Sequence, residues 1–171
     1  MHPLFLNLTG RRVVFIGEGR LADEKLDQLR ATGADLHVVS PAAFVPADLD
    51  SAWLAVSVAP PDVNRQVAAA ADARHIFVNA VDDPAHGTAY LSGVVRRAGV
   101  TIAISTEGRA PALTALLREA IDLLLPADVD RWLDAAQEQR TEWKRSSVPM
   151  EQRKPRLLEA LNKLYREGSC G

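Results

Sequence analysis

Two short stretches of this chain carry residue types that can do chemistry. The first is Gly17-Glu18-Gly19-Arg20-Leu21-Ala22, of the form GxGxxA. The first glycine permits a tight strand-to-helix turn. The second lets backbone approach a pyrophosphate with no Cβ in the way, and the small final residue lets the helix lie close to the sheet. The helix N-terminus that follows offers free N–H groups and the positive end of its dipole to phosphates. The pattern alone is weak evidence; its weight comes from a strand before it and a helix after it. The second stretch, "VNAVDDP", puts Asn79, Asp82 and Asp83 at the end of an apolar run. Open α/β sheets bind ligands beyond the carboxyl ends of their strands, where an acid can act as a general base or steer a cationic group. The same residues also suit a turn ahead of Pro84, so spacing leaves both roles open. His86 lies four residues after Asp82 and offers a proton shuttle or a metal contact, although a lone loop histidine more often does neither.

These residues need elements to position them. "RVVFIG" (12–17) is a β-branched apolar run ending in glycine, as in a strand buried on both faces. Ala22, Leu26 and Leu29 then recur at helical spacing, Gly33 is placed to end that helix, and "DLHVVS" (35–40) returns to strand. The β-α-β unit closes within about thirty residues, as that motif requires. "AWLAVSV" (52–58), a helix starting at Pro60, Pro61 and Asp62 with Val63, Val67 and Ala70 on one face, and "HIFVNAV" (75–81) continue the alternation. The pattern predicts an α/β protein, a Rossmann-like doubly wound sheet. "TAYLSGVV" (88–95) and "VTIAIST" (100–106), joined by "RRAG", are too close for a parallel crossover and predict a hairpin. Three helices follow, at about Ala110–Leu125, Val129–Lys144 and Glu151–Arg166, the first with a strong apolar stripe. The expected domains are 1–108, a Rossmann-type dinucleotide-binding domain, and 109–171, a helical region whose stripes must bury against the α/β half or a second copy of the chain.

One piece of the usual dinucleotide site is absent. Such sites commonly carry Asp or Glu at the end of the second strand to hold the adenosine ribose, whereas here Ser40 stands there, followed by Pro41, and Asp35 is at the wrong end. Ser40, or backbone around Pro41 and Ala42, is left to hold the ribose. The net charge of −2 gives no reason to expect nucleic acid or an anionic membrane as partner. Within it, residues 131–171 carry nine positive and six negative groups, so the tail is +3 and the rest −5. Cys170 is the single cysteine, which rules out an internal disulfide or a cysteine metal cage and makes a reducing cytoplasm the expected location. No window approaches the roughly 18 apolar residues of a membrane span, and the N-terminus lacks a secretory leader pattern. His2, His37, His75 and His86 show no ligand spacing, so no resident metal is expected.

The pieces, in this order, resemble the precorrin-2 dehydrogenase/sirohydrochlorin ferrochelatase family of siroheme synthesis. The resemblance is carried by "PLFLNLTGRRVVFIGEGRLADEKLDQLRATGADLHVVSP", "FVNAVDDP" and "VVRRAGVTIAISTEGRAPALTALLREAIDLLLP", and covers roughly residues 3–126. It implies that NAD⁺ binds at Gly17, Gly19, Arg20 and Leu21 and near Ser40, Pro41 and Ala42, and takes a hydride from precorrin-2 to give sirohydrochlorin. It makes Asp82 the catalytic acid, serving the oxidation and, in bifunctional members, insertion of ferrous iron. Asn79, Ser105, Thr106, Gly108 and Arg109 would contact the tetrapyrrole, with Arg109 suited to its carboxylates. The family is homodimeric, which would cover the stripe of the helix at 111–125. Two other activities fit the same residues: a chelatase-only or altered-substrate tetrapyrrole enzyme, and a non-catalytic tetrapyrrole or nucleotide binder. The chain departs from the family's pattern at Glu18, commonly glycine, and in a short 41–53 segment, at Ala59-Pro60-Pro61 and at "AYLSG" (89–93). By charge alone, Glu18 stands close to where phosphates belong, so a glycine there is expected to tighten NAD⁺ binding.

Overall fold

Four consecutive residues of the first strand, Val13, Val14, Phe15 and Ile16, are all buried. That pattern requires a sheet covered on both faces. The computed structural model, which describes residues 2–107 and 109–167, has that arrangement in the first of its two compact units, Met1–Leu91. Four parallel strands, β1 (Arg12–Gly17), β2 (Asp35–Val39), β3 (Leu54–Val58) and β4 (Phe77–Ala80), run in the order β2-β1-β3-β4. Helix α1 (Arg20–Arg30) packs Ala22, Leu26 and Leu29 against Val13, Phe15, Leu54 and Val56. Helix α2 (Pro61–Asp72) packs Val67, Ala70 and Ala71 against Val14, Ile16, Ala55 and Val78 on the other face. Alternate residues of β1 and β3 therefore feed two cores, one under each helix. Phe15 is 1 % exposed. Phe15→Ala is expected to lower unfolding free energy by about 3–5 kcal/mol, read from the denaturant midpoint.

The strand order creates a switch point. From β1 the chain passes through α1 to β2 on one side, and then crosses to β3 on the other side of β1. The connections leaving β1 and β3 depart to opposite faces, and the crevice between them lies at the carboxyl ends of the strands.

The second unit, Ser92–Gly171, holds a two-stranded antiparallel sheet, β5 (Gly93–Arg97) and β6 (Val100–Ile104), with helices α3 (Pro111–Leu124), α4 (Val129–Arg145) and α5 (Met150–Glu167). Ala98 and Gly99 join the strands, both at positive φ (44° and 84°), the geometry of a tight hairpin turn whose twist matches its strands. The hairpin thus falls with the helices, upstream of the boundary at 108 expected from sequence. Its first strand starts at Gly93, a correction to the 88–95 expectation. Residues 88 and 89 fold back on β4 instead, where Thr88 and Ala89 N–H both donate to the Val78 carbonyl at 2.8 Å. No helix among the described residues is long and apolar enough to cross a membrane.

Candidate active site

The glycine turn has the form that the sequence predicts, for two separate reasons. Gly17 ends β1 in register with Val58, and a Cβ added there would lie 3.1 Å from both the Val58 carbonyl oxygen and its Cβ. A side chain there would have to push β3 back by a few tenths of an ångström, so packing favours glycine. Gly19 is the N-cap of α1 at φ 86°, a conformation that L side chains rarely adopt, and a Cβ there would meet nothing within 4 Å. Backbone is thus presented to open space. No side chain caps α1, and the first intrahelical bond runs from Asp23 N–H to Gly19 O at 3.0 Å. The N–H groups of Arg20, Leu21 and Ala22 are left as unpaired donors at the positive end of the helix.

Beside this turn lies a cleft of about 580 Å³. Glu18 and Leu21 line it from the turn, Pro41 and Ala42 from the end of β2, and Val58, Ala59 and Pro60 from the end of β3. Asp62 and Val63 of α2 and Val81 and Asp82 after β4 complete it. All four strand ends contribute, as a switch-point site requires. Among the described residues no Lys, Arg or His lines the cleft. The glycine cradle and the free helix donors fit the pyrophosphate of a dinucleotide, and the rest of the wall is largely apolar. Ser40 is exposed, forms no side-chain bond and opens a single 3₁₀ turn, Pro41–Ala43, while the Arg20 side chain lies 4.0 Å from Glu24 on the helix surface. Neither side chain lines the cleft.

Asp82 is brought into the cleft as expected. It sits at φ 58°, in the left-handed region that Asp and Asn tolerate better than other side chains, and its carboxylate has no hydrogen-bond partner among the described residues. The next residue is held very differently. Asp83 accepts a bond from Asn64 Nδ2 at 3.0 Å and faces His86 Nδ1 at 2.9 Å, while Asn64 Oδ1 accepts from the Ser57 hydroxyl at 2.6 Å. The Asn64 amide, and after it His86, hold the Asp83 carboxyl below the ordinary carboxylate range. Because an ionised carboxylate only accepts, His86 Nδ1 is the donor of this bond. Ser57 and Asn64 are 0 % and 1 % exposed. The chain Ser57–Asn64–Asp83–His86 therefore pins the loop that carries Asp82 to β3 and α2.

This relay was not found from sequence, though a signal for it exists. Ser57 interrupts the apolar run of β3, and Asn64 shares the buried face of α2 with Val67 and Ala71 at helical spacing. Asn79, expected near substrate, is buried in β4. Its Nδ2 donates to the Ala89 carbonyl at 2.9 Å, its Oδ1 has no partner, and it does not line the cleft.

The remaining expected contacts fall in the second unit, between β6 and α3. Ser105 Oγ accepts from Glu107 N–H at 3.1 Å, and Thr106 Oγ1 accepts from Ala110 N–H at 3.3 Å and meets Thr114 Oγ1 at 2.9 Å. Both hydroxyls thus shape the loop before α3. Arg109 is exposed, with Glu107 3.6 Å away. Gly108 lies outside the described residues, as does Cys170. Among the described residues no group of three metal-ligating side chains is assembled.

Comparison with known proteins agrees with this architecture. A family model described as "Putative NAD(P)-binding" matches residues 4–93, more than half of the chain, and one described as "Sirohaem biosynthesis protein central" matches 97–122. The siroheme synthase of Photorhabdus laumondii is 32 % identical over 180 residues, covering 94 % of this chain and 38 % of that protein. The siroheme synthase of Tolumonas auensis is 37 % identical over 142 residues, covering 72 % of this chain and 30 % of that one. The chain thus spans under two fifths of the length of these relatives. A solved structure titled "SirC, precorrin-2 dehydrogenase" has the same fold, with a TM-score of 0.68 at 21 % identity over 97 % of this chain and 92 % of that one. Identity above 30 % over most of this chain, with an NAD(P)-binding model followed by a siroheme-biosynthesis model, places the chain in the siroheme synthase family.

Proposed function

We propose that this chain oxidises precorrin-2 to sirohydrochlorin in siroheme synthesis, with NAD⁺ taking the hydride. The observation that carries the reading is the unpartnered Asp82 carboxylate in the same cleft as the uncapped N-terminus of α1. Gly17 and Gly19 would admit the pyrophosphate, the N–H groups of Arg20, Leu21 and Ala22 would bind it, and backbone at Pro41 and Ala42 would meet the ribose. NAD⁺, when bound, supplies a two-electron hydride acceptor. Removing two hydrogens from the macrocycle as one hydride leaves one proton, and Asp82 is placed to accept it. Its left-handed backbone and the relay beneath the loop hold the carboxylate at the cleft without a competing donor among the described residues. The same carboxylate would take pyrrole protons if ferrous iron enters as a second substrate. Ser105, Thr106 and Arg109 are proposed contacts to the tetrapyrrole, Arg109 through its paired donors.

Anaerobic absorbance of the purified protein with precorrin-2, with and without NAD⁺, tests this directly. The sirohydrochlorin spectrum is expected only with NAD⁺, with NADH formed in equal amount. A spectrum that shifts on mixing but never turns over would instead mark a tetrapyrrole binder.

We further infer a homodimer and, from the single cysteine, a cytoplasmic setting. Support for the dimer comes from α3, which has no buried residue although Leu113, Leu116, Leu117, Leu123 and Leu124 lie on it, Leu123 being 87 % exposed. An exposed apolar face of that extent is a feature of interfaces. Leu116→Glu is expected to convert dimer to monomer in light scattering; an unchanged mass would place the interface elsewhere.

A further inference from the structure

Besides Asp82 the cleft has two carboxylates for which the reaction gives no task, Asp62 at the start of α2 and Glu18 beside the end of β2. Glu18 is exposed, lines the cleft together with Pro41 and Ala42 at the end of β2, and makes no ion pair or hydrogen bond among the described residues. In dinucleotide sites the end of the second strand is where the adenosine ribose is read. An acid there accepts from the 2′-hydroxyl and selects NAD, and a base there receives the 2′-phosphate of NADP. This chain has neither at that place, since Ser40 follows the strand and, among the described residues, no Lys, Arg or His lines the cleft. An unpaired acceptor from the adjoining glycine turn stands beside the gap. Taking the proposed dinucleotide site as the starting point, we propose that Glu18 is the residue that reads the adenosine ribose, in place of the missing acid after β2, and so excludes a 2′-phosphorylated cofactor.

The physical argument has two parts. A carboxylate that accepts from a ribose hydroxyl makes a charge-assisted bond, about twice as strong as its neutral counterpart. A phosphate at the 2′ position would instead set two like charges together in a cleft with no cation to separate them. Glu18 therefore favours one ligand and opposes the other, as specificity usually requires. This assignment reverses the sign expected from its charge near the pyrophosphate alone. Repulsion acting there would weaken NAD⁺ and NADP⁺ equally, because both carry the same pyrophosphate.

The two effects separate in direct binding of NAD⁺ and NADP⁺ by calorimetry, with wild type, Glu18→Gln and Glu18→Gln/Ser40→Arg. The neutral variant keeps the length of the side chain and removes no bond within the protein, so folding is not at issue. NAD⁺ affinity is expected to fall about tenfold in Glu18→Gln while NADP⁺ affinity rises, and the added Arg to raise NADP⁺ further. Equal gains for both dinucleotides, or an unchanged ratio, would overturn the role of Glu18 while leaving the dinucleotide site standing. Failure of the wild-type chain to bind either one would overturn the site, and the role of Glu18 with it.

Discussion

Asp82→Asn is expected to lower the rate of NAD⁺-dependent precorrin-2 oxidation by about 10²–10⁴-fold, the span that a positioned general base contributes. Dissociation constants for NAD⁺ and for precorrin-2 should change little, because the amide occupies the same space and the fold uses no bond from this side chain. The substitution is chosen for its backbone. Asp82 sits at φ 58°, where Asn is as well tolerated as Asp, whereas Ala or Val would add strain and confuse lost chemistry with a displaced loop. Stopped-flow absorbance at saturating substrate separates the two constants. A variant that keeps wild-type turnover would remove Asp82 from the reaction. One that loses both turnover and affinity would make it a binding residue.

The second large effect is expected one layer below the cleft. Asn64→Leu keeps the approximate size of the side chain and leaves the Ser57 hydroxyl and the Asp83 carboxylate without their shared partner. The Ser57 hydroxyl, buried in β3, costs about 1–3 kcal/mol when orphaned in this way. The denaturant midpoint should therefore fall. Turnover should fall as well, by about 10²-fold, because loosening the loop moves the adjacent Asp82 by a fraction of the distance that proton transfer tolerates. Acid titration gives an independent check. The carboxyl of Asp83 is held below its ordinary range in the folded state, first by Asn64 and then by His86. Its contribution is thus fully present above the ordinary carboxylate pKa, about 3.9, and is lost as pH falls through the lower folded value. The stability gap between wild type and Asn64→Leu should hold from neutral pH down to about 4 and narrow below it. A gap independent of pH would mean that Asn64 acts only by packing. Loss of stability with full turnover would mean that the Asp82 loop is held by its backbone alone, through bonds such as Val81 N–H to the Ser57 carbonyl at 2.8 Å.

Much of the site was legible because it depends on local patterns. Gly17 and Gly19 have the spacing of a dinucleotide turn; positive φ explains Gly19 locally, whereas the constraint on Gly17, the close approach of Val58, comes from the pairing of β1 with β3. Apolar periodicity likewise located β1, α1, β3 and α2 to within a residue or two, since each buries a face that repeats along its own length. The hairpin was legible in kind but not in its start. Thr88 and Ala89 look like strand residues, yet their N–H groups are taken by a single carbonyl of β4, a competition no local pattern reports. The same holds for Ser57, Asn64 and Asp83, which come from three different elements and meet only because the sheet order β2-β1-β3-β4 sets α2 over β3 and β4.

The sequence by itself therefore determined the doubly wound unit, the glycine turn between β1 and α1 and the position of Asp82 just beyond β4. Which acid is fixed and which is free was decided by tertiary structure. Asp82 and Asp83 are identical in type and adjacent in sequence. One turns into the cleft without a partner, while the other is bound by an amide and an imidazole brought from elsewhere in the unit. Their difference is one of surroundings, and surroundings exist only once strands distant in sequence have paired.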